Sequence, residues 1–280
     1  MTKSGRITLA VIGVLLIALV AGYLGSMLRG GSAAATADQG SWIKKVQSQG
    51  ELRVGVAISA PMTVQDSNGN LGGPNLIPLE DLAKQLGVKL TPVAASWGNI
   101  VAGLQAGRYD VAANLNSTLE RAKAIQFTNS VYEYPAVYVV KADSPWTSSQ
   151  QLIDSKQQVV SASGSAEDAA IKATGTPVLE VGDWTNAFQA LDAHRVAAEF
   201  TDSGTAQAQV ASHPDYKIIL PSPSIYEGGA AYGMPDSTDP RSMQLVNLAI
   251  YNAQINGELT RAYQKVDYRP GNDLGDYLKK

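Results

Sequence analysis

The spacing of apolar and polar positions sets the N-terminus apart. Lys3 and Arg6 precede a 22-residue run, bounded by Ile7 and Leu28, that holds no charged residue. Arg29 closes the run and small residues follow as far as Ala37. This is the pattern of an export segment. Ala35-Thr36-Ala37 fits a small-x-small cleavage site, whereas the run itself is long enough to span a bilayer as a helix. A signal peptide over 1–37 and a retained apolar anchor helix therefore both stay open, and either delivers the remainder outside the cytoplasm, free in the periplasm or tethered to the inner membrane.

Beyond Gly40, short apolar runs alternate with segments of helical period, the pattern of an α/β fold. Residues 52–58 read as a buried strand. The turn signal Asp66-Ser-Asn-Gly-Asn70 leads into a helix over 76–86 that Gly87 terminates. Strands over 88–94, 110–113 and 137–141 and helices over 97–105 and 118–125 follow. From about Ser144 the alternation resumes, with helices over 152–155, 166–174, 184–193 and 204–211 between strands over 159–162, 178–181, 197–201 and 216–220. Pro221 and Pro223 interrupt it. A strand over 230–234, a long helix over 240–254 and a last helix over 259–265 precede a polar tail.

Composition narrows what such a fold can do. With 45% apolar and 17% charged residues the chain is an ordinary globular one, which excludes disordered and fibrous classes. It has no cysteine, so disulfides, thiolate nucleophiles, iron–sulfur clusters and a lipidated cysteine are excluded. His194 and His213 are the two histidines and cannot build a multi-histidine metal site; no metal and no cofactor is expected. The net charge of −3 becomes −6 if cleavage follows Ala37, which argues against a nucleic-acid partner.

Several short motifs then fall in a telling order: Leu-Arg-Val-Gly-Val at 52–56, Asn-Gly-Asn-Leu-Gly-Gly at 68–73, Leu-Ala-Lys-Gln-Leu-Gly-Val at 82–88, and Trp97 ahead of Gly-Leu-Gln-Ala-Gly-Arg-Tyr-Asp-Val at 103–111. Thr-Leu-Glu-Arg at 118–121, Phe-Thr-Asn-Ser-Val-Tyr at 127–132 and Ala-Tyr-Gly-Met at 231–234 continue it. In this order the chain resembles the periplasmic solute-binding proteins of amino-acid ABC transporters, family 3, with the type II periplasmic-binding fold. The resemblance implies a two-lobed α/β protein whose second lobe, 141–228, is inserted in a first lobe made of 38–140 and 229–280. It also implies a small-molecule ligand held between lobes that close by a hinge, crossovers near Val140 to Ser144 and Pro221 to Gly229, and a permease as partner.

The same resemblance assigns roles to residues. Arg121 would pair its planar guanidinium with the ligand α-carboxylate; its plainer use is a surface pair with Glu120. Asp202, where a strand ends and a helix begins, would accept from the α-ammonium, or would simply cap the helix. Ser163 and Ser165 flank the helix start at Ala166, whose backbone amides could share the carboxylate, although Ala166 stands where relatives carry a second hydroxyl. Asn114 and Asn116 would touch the ligand or serve a turn, on a stretch from Asp110 to Arg121 that is one residue shorter than is usual in the family. Trp97 would form one wall of the side-chain pocket. On the opposite wall the aromatic-x-Pro-Phe motif appears as Ser59-Ala60-Pro61-Met62, and Gly-Phe-Asp/Glu as Gly73-Pro74-Asn75. Two aromatics and an acid are missing, so the expected ligand has a medium or large neutral side chain and is not basic.

The leading expectation is a monomeric, non-enzymatic receptor. One alternative is a cyclohexadienyl or arogenate dehydratase on the same fold, using Asp202 or Glu199. Another is a ligand-sensing domain anchored through the segment between Ile7 and Leu28.

Overall fold

The computed structural model describes residues 40–271 and 274–278. The charge-free run bounded by Ile7 and Leu28, and with it the choice between signal and anchor, lies outside them. Among the described residues no helix is long and apolar enough to cross a membrane.

The chain enters through α1 (Ser41–Gln49), a helix not expected from the sequence, which buries Trp42, Ile43 and Val46. Strand β1 (Glu51–Val56), the short hairpin of β2 (Val64–Gln65) and β3 (Leu71–Gly72), helix α2 (Ile77–Leu86) and β4 (Lys89–Ala94) follow. The hairpin brackets the Asp66–Asn70 turn, whose Asp66 carboxylate accepts from the amides of Asn68 and Asn70. Next come α3 (Ile100–Gln105), β5 (Val111–Asn116), α4 (Leu119–Ala122), β6 (Gln126–Phe127) and the ten-residue β7 (Tyr132–Lys141). Helices α5 (Ser149–Ser155), α6 (Ala166–Ala173), α7 (Trp184–Asp192) and α8 (Ser203–Ser212) alternate with strands β8 (Val159–Ala162), β9 (Val178–Val181), β10 (Ala198–Asp202) and β11 (Tyr216–Ile219). β12 (Glu227–Met234), α9 (Pro240–Ile255) and α10 (Glu258–Lys265) complete the order of strands and α-helices, with short 3-10 turns over Pro74–Leu76 and Gly275–Leu278.

Local chemistry sets where helices start. Thr118, Ser148, Ser165, Asp183, Asp202 and Asp239 each accept a hydrogen bond from the amide three residues on, satisfying a donor the helix itself leaves free.

The sheet runs β4-β1-β5-β12-β7-β10-β8-β9. β7 belongs to both halves. Its residues 132–135 pair with β12, whereas 136–141 pair with β10 and β11. The strand starts five residues before the expected 137, because Pro135 interrupts the apolar pattern at the point where the partners change. The exchange at Pro135 and Ala136 thus lies upstream of the expected crossover near Val140. Lobe 1 buries Leu52, Val54, Leu79, Tyr232, Val246 and Ile250 around β1 and β12, each worth about 2 kcal/mol of burial. Lobe 2 packs Tyr138, Val159, Ile171 and Phe200 on one face and Val139, Val210 and Tyr216 on the other.

The tail does not stay with lobe 1, where 229–280 was expected. Tyr268 is buried in the lobe 1 cluster. Arg269 then exchanges two hydrogen bonds with Gln207 of α8, at 2.9 and 3.0 Å, and Leu274 is buried against Val139 and Tyr216 in lobe 2.

Asp110 ties the outer parts of lobe 1 together. Its carboxylate takes both a bidentate contact from the Arg53 guanidinium, at 2.8 and 3.0 Å, and the Arg53 amide, while Lys45 and Gln49 approach from α1. Burial pushes this carboxyl up, but the hydrogen bonds and charge of Arg53 outweigh burial and hold it below the ordinary range. A carboxyl lowered in the folded state stabilises above its unfolded pKa and loses that stabilisation as pH falls through the folded value. Asp110→Asn should therefore lower urea-denaturation stability at pH 7 by about 2 kcal/mol, with the gap to wild type narrowing toward pH 2; a gap independent of pH would contradict the ion pair's role.

Candidate functional site

The two lobes meet at a small polar cavity between the C-terminal ends of β5 and β10. In this closed geometry it leaves about 10 Å³ for solvent, the room of roughly one water. Ser59, Asn114, Asn116, Glu167 and Asp202 supply its polar lining. Trp97, Tyr132, Tyr134 and Trp184 supply its walls.

Side-chain hydrogen bonds bridge the halves at the cavity. From lobe 1, Ser59 Oγ donates to Asp202 Oδ2 at 3.1 Å. Tyr134 Oη donates to Glu167 Oε1 at 2.7 Å. Arg121 Nη2 donates to the Gly164 carbonyl at 2.9 Å, and its Nη1 to the Asn116 carbonyl at 3.1 Å. Beside the last bridge the backbones touch. Gly164 has φ +77°, and a Cβ there would stand 2.8 Å from the Gly98 Cα, so only glycine fits both the dihedral and the approach.

Asp202 serves as helix cap and cleft residue at once. Oδ1 accepts from the Thr205 amide at 2.8 Å, and Oδ2 from the Thr205 hydroxyl at 2.6 Å as well as from Ser59. Burial raises its pKa against the pull of these donors. Glu167, in the first turn of α6 and 2% exposed, is also raised by burial and by the charge of Asp202. Arg121 is lowered by burial, with Glu167 opposing the shift through its charge.

The two asparagines owe their positions to a bulge. Ala231 faces Leu115 and Gly233 faces Ala112, so β5 carries one residue more than β12 between these pairs, and Asn114 takes the left-handed φ of +55°. This resolves the register around Asp110 to Arg121. Asn114 Oδ1 accepts from Tyr132 Oη at 2.7 Å, and Asn116 Nδ2 donates to Tyr134 Oη at 2.6 Å.

The structure thus brings Asp202, Asn114, Asn116, Trp97 and Ser59 together around one cavity, with Arg121 bridging the lobes beside it. It does not bring in the rest. Ser163 Oγ donates outward to Glu180, and Ser165 Oγ accepts from the Asp168 amide as the cap of α6. Asn75 is buried in lobe 1 away from the cavity lining; neither side-chain polar atom has a partner among the described residues. Sequence reasoning missed Glu167, Tyr132, Tyr134 and Trp184. The Tyr-Glu-Tyr alternation at 132–134 was a usable signal, since it puts two rings on one strand face. Glu167 gave none, because an acid in a first helical turn is favoured anyway.

Glu199, the other acid considered for catalysis, is pushed up to about 8 by burial but faces Gln209 within lobe 2 and does not line the cavity. His194 and His213 are exposed. Larger hollows of about 320 and 380 Å³, beside Glu133 and Gly271 and beside Ile58 and Phe188, lack this convergence of buried polar groups.

Two lobes sharing one sheet strand, with a polar cavity at strand ends between them, define the periplasmic-binding-protein class of fold. An arginine-binding protein mutant from Thermotoga maritima superposes with a TM-score of 0.74 at 24% identity, covering 81% of this chain and 99% of that one. The L-cysteine solute receptor of Neisseria gonorrhoeae gives 0.72 at 25% identity, covering 80% and 92%. Residues 52–266 match the model of the bacterial extracellular solute-binding proteins, family 3, and the chain belongs to that family. Among curated relatives, the "Probable amino-acid ABC transporter-binding protein" of Haemophilus influenzae is 30% identical over 56% of this chain and 61% of its own length. The L-cystine-binding protein TcyA of Bacillus subtilis is 28% identical over 59% and 62%. The matches thus span about three fifths of these relatives.

A carboxyl raised in the folded state costs stability once pH exceeds its folded pKa, and the cost disappears as pH falls below the unfolded value. Glu167→Gln keeps the shape and an acceptor for Tyr134. It should melt higher than wild type at pH 8, by about 1 kcal/mol, and converge on it near pH 4; a variant less stable at pH 8 would show the charge to be compensated.

Proposed function

We propose that this chain is an extracytoplasmic receptor that captures an amino acid or related small carboxylate between its lobes and delivers it to an ABC permease. The observation that carries this reading is the placement of Asp202 and Arg121 on opposite lobes, each already bonded across the boundary. Asp202 is a buried acceptor at a strand end, suited to an α-ammonium. Arg121 spends its donors on two backbone carbonyls rather than on a carboxylate, so a ligand carboxylate offers it a stronger, charge-assisted partner.

Ligand capture is then an exchange of bonds. The closed cavity is too small for an amino acid, so the lobes part before one enters. The zwitterion replaces the Ser59–Asp202 and Arg121–Gly164 bridges with its own contacts, and water leaves as the lobes return. The receptor acts as a monomer and as a binder rather than an enzyme, reaching the permease either free after cleavage behind Ala37 or tethered through the segment between Ile7 and Leu28.

Amino acids at millimolar concentration should raise the melting temperature of wild type by several degrees. Arg121→Ala and Asp202→Ala should each abolish the shift, since each leaves one ligand charge buried without a partner, at a cost of about 3 kcal/mol or more. Undiminished binding in both variants would refute the clamp.

A further inference from the structure

Beyond α10 the chain crosses from lobe 1 to lobe 2 outside the sheet. Tyr268 is 4% exposed and packs edge-on against Tyr132 and Tyr263 of lobe 1, with ring centroids 5.7 and 5.3 Å away. The same ring lies against lobe 2, since a Cβ added to Gly204 in the first turn of α8 would stand 3.3 Å from it. Arg269, the very next residue, is held by lobe 2. Its amide donates to Gln207 Oε1 at 2.9 Å, and Gln207 Nε2 donates to its carbonyl at 3.0 Å. Gly271 then donates its amide to the Glu133 carbonyl of β7 at 3.2 Å, two residues before the strand changes partners.

Gln207 sets this crossing apart from ordinary surface bonding. It is 1% exposed, and its amide spends donor and acceptor together on the backbone of one residue, as a neighbouring strand would. It does not line the ligand cavity. The pairing depends on where the chain at 269 lies and not on which side chain stands there.

The crossing has no slack. Consecutive Cα atoms are about 3.8 Å apart, so α8 is tied to the tyrosine cluster of lobe 1 through a single peptide unit. The helix tied in this way is the one that Asp202 caps, and Asp202 is bridged to Ser59 across the cavity. Parting the lobes far enough to admit an amino acid would carry α8 away from Tyr132 and Tyr263, and either the Gln207 pair or the Tyr268 packing would have to yield. Bonds made only in the closed arrangement weight the equilibrium toward it, and a ligand that binds the closed form binds more tightly by that weighting.

We propose that the chain from Tyr268 to Gly271 is a latch, with Gln207 as its catch, that holds α8 and with it Asp202 in the closed position. Gln207 is a positioning residue that touches no ligand. Leu274, fully buried in lobe 2, secures the chain beyond the catch. The effect of the latch on affinity rests on the receptor reading above, whereas its effect on the spacing of the lobes does not.

The absence of cysteine makes a direct test simple. Spin labels on the full-length chain at Lys84→Cys in lobe 1 and Asp154→Cys in lobe 2, both exposed positions, report the distance between lobes by pulsed electron resonance. Calorimetric titration with whichever of the common amino acids most raises the melting temperature reports affinity. Gln207→Met, similar in volume but without the two bonds, and Leu274→Ala should each lengthen the label distance in the ligand-free protein and weaken binding about tenfold. Saturating amino acid should restore the short distance. Ile171→Val, which loosens lobe 2 away from the crossing, should change neither quantity. Far-UV circular dichroism shows which variants keep the fold, and either of the first two suffices. An unchanged distance in them, or an equal lengthening in Ile171→Val, would overturn the latch and leave the receptor reading standing. Longer distances without weaker binding would refute its part in affinity. Longer distances in a protein whose wild type binds no amino acid would sink the receptor reading and leave the latch.

Discussion

A single strand holds the two halves of this molecule in one sheet. β7 gives residues 132–135 to lobe 1 and 136–141 to lobe 2, so the geometry on either side of Pro135 decides whether the cavity residues meet. Tyr132 and Tyr134 stand on its first half, inside the cavity, and the pairing of Ala136 with Asp202 stands at the start of its second. Small angular changes at the exchange point are therefore converted into large changes in the distances between Ser59 and Asp202 and between Tyr134 and Glu167. On the receptor reading proposed above, binding and lobe movement would be coupled because they share this backbone.

The closed cleft stores an electrostatic conflict. Closing it takes two carboxylates out of water, and burial raises both of their pKa values. The donors that meet them, Thr205, Ser59 and Tyr134, return part of that desolvation cost, and the charge of Arg121 opposes the rise at Glu167. On the receptor reading proposed above, a zwitterionic ligand would bring an ammonium to these carboxylates. On that reading, closure with ligand would be favoured over closure without it.

Much of the architecture was legible because helix and strand starts are written in local chemistry. Asp202 could be placed at a strand end, and Gly87 at a helix end, from neighbouring residues alone. The family resemblance located Trp97, Asn114, Asn116 and Ser59, and all four line one cavity. What escaped notice depends on contacts distant in sequence. Glu167 looks like any acid in a first helical turn until Tyr134, 33 positions earlier, is seen to bond it. Helix α1 buries only three side chains in nine residues, too brief a period to separate from the polar stretch before it. The bulge at Asn114 appeared in the sequence only as a stretch that fitted its motif imperfectly, because register is a property of two strands and not of one.

The segment from Tyr268 to Leu274 anchors in one lobe and ends in the other. The chain passes between the lobes at β7 and again between β11 and β12, and these two adjacent connections would by themselves leave the lobes free both to bend and to twist. A third attachment, displaced from those strands, would resist rotation about the long axis while still permitting bending.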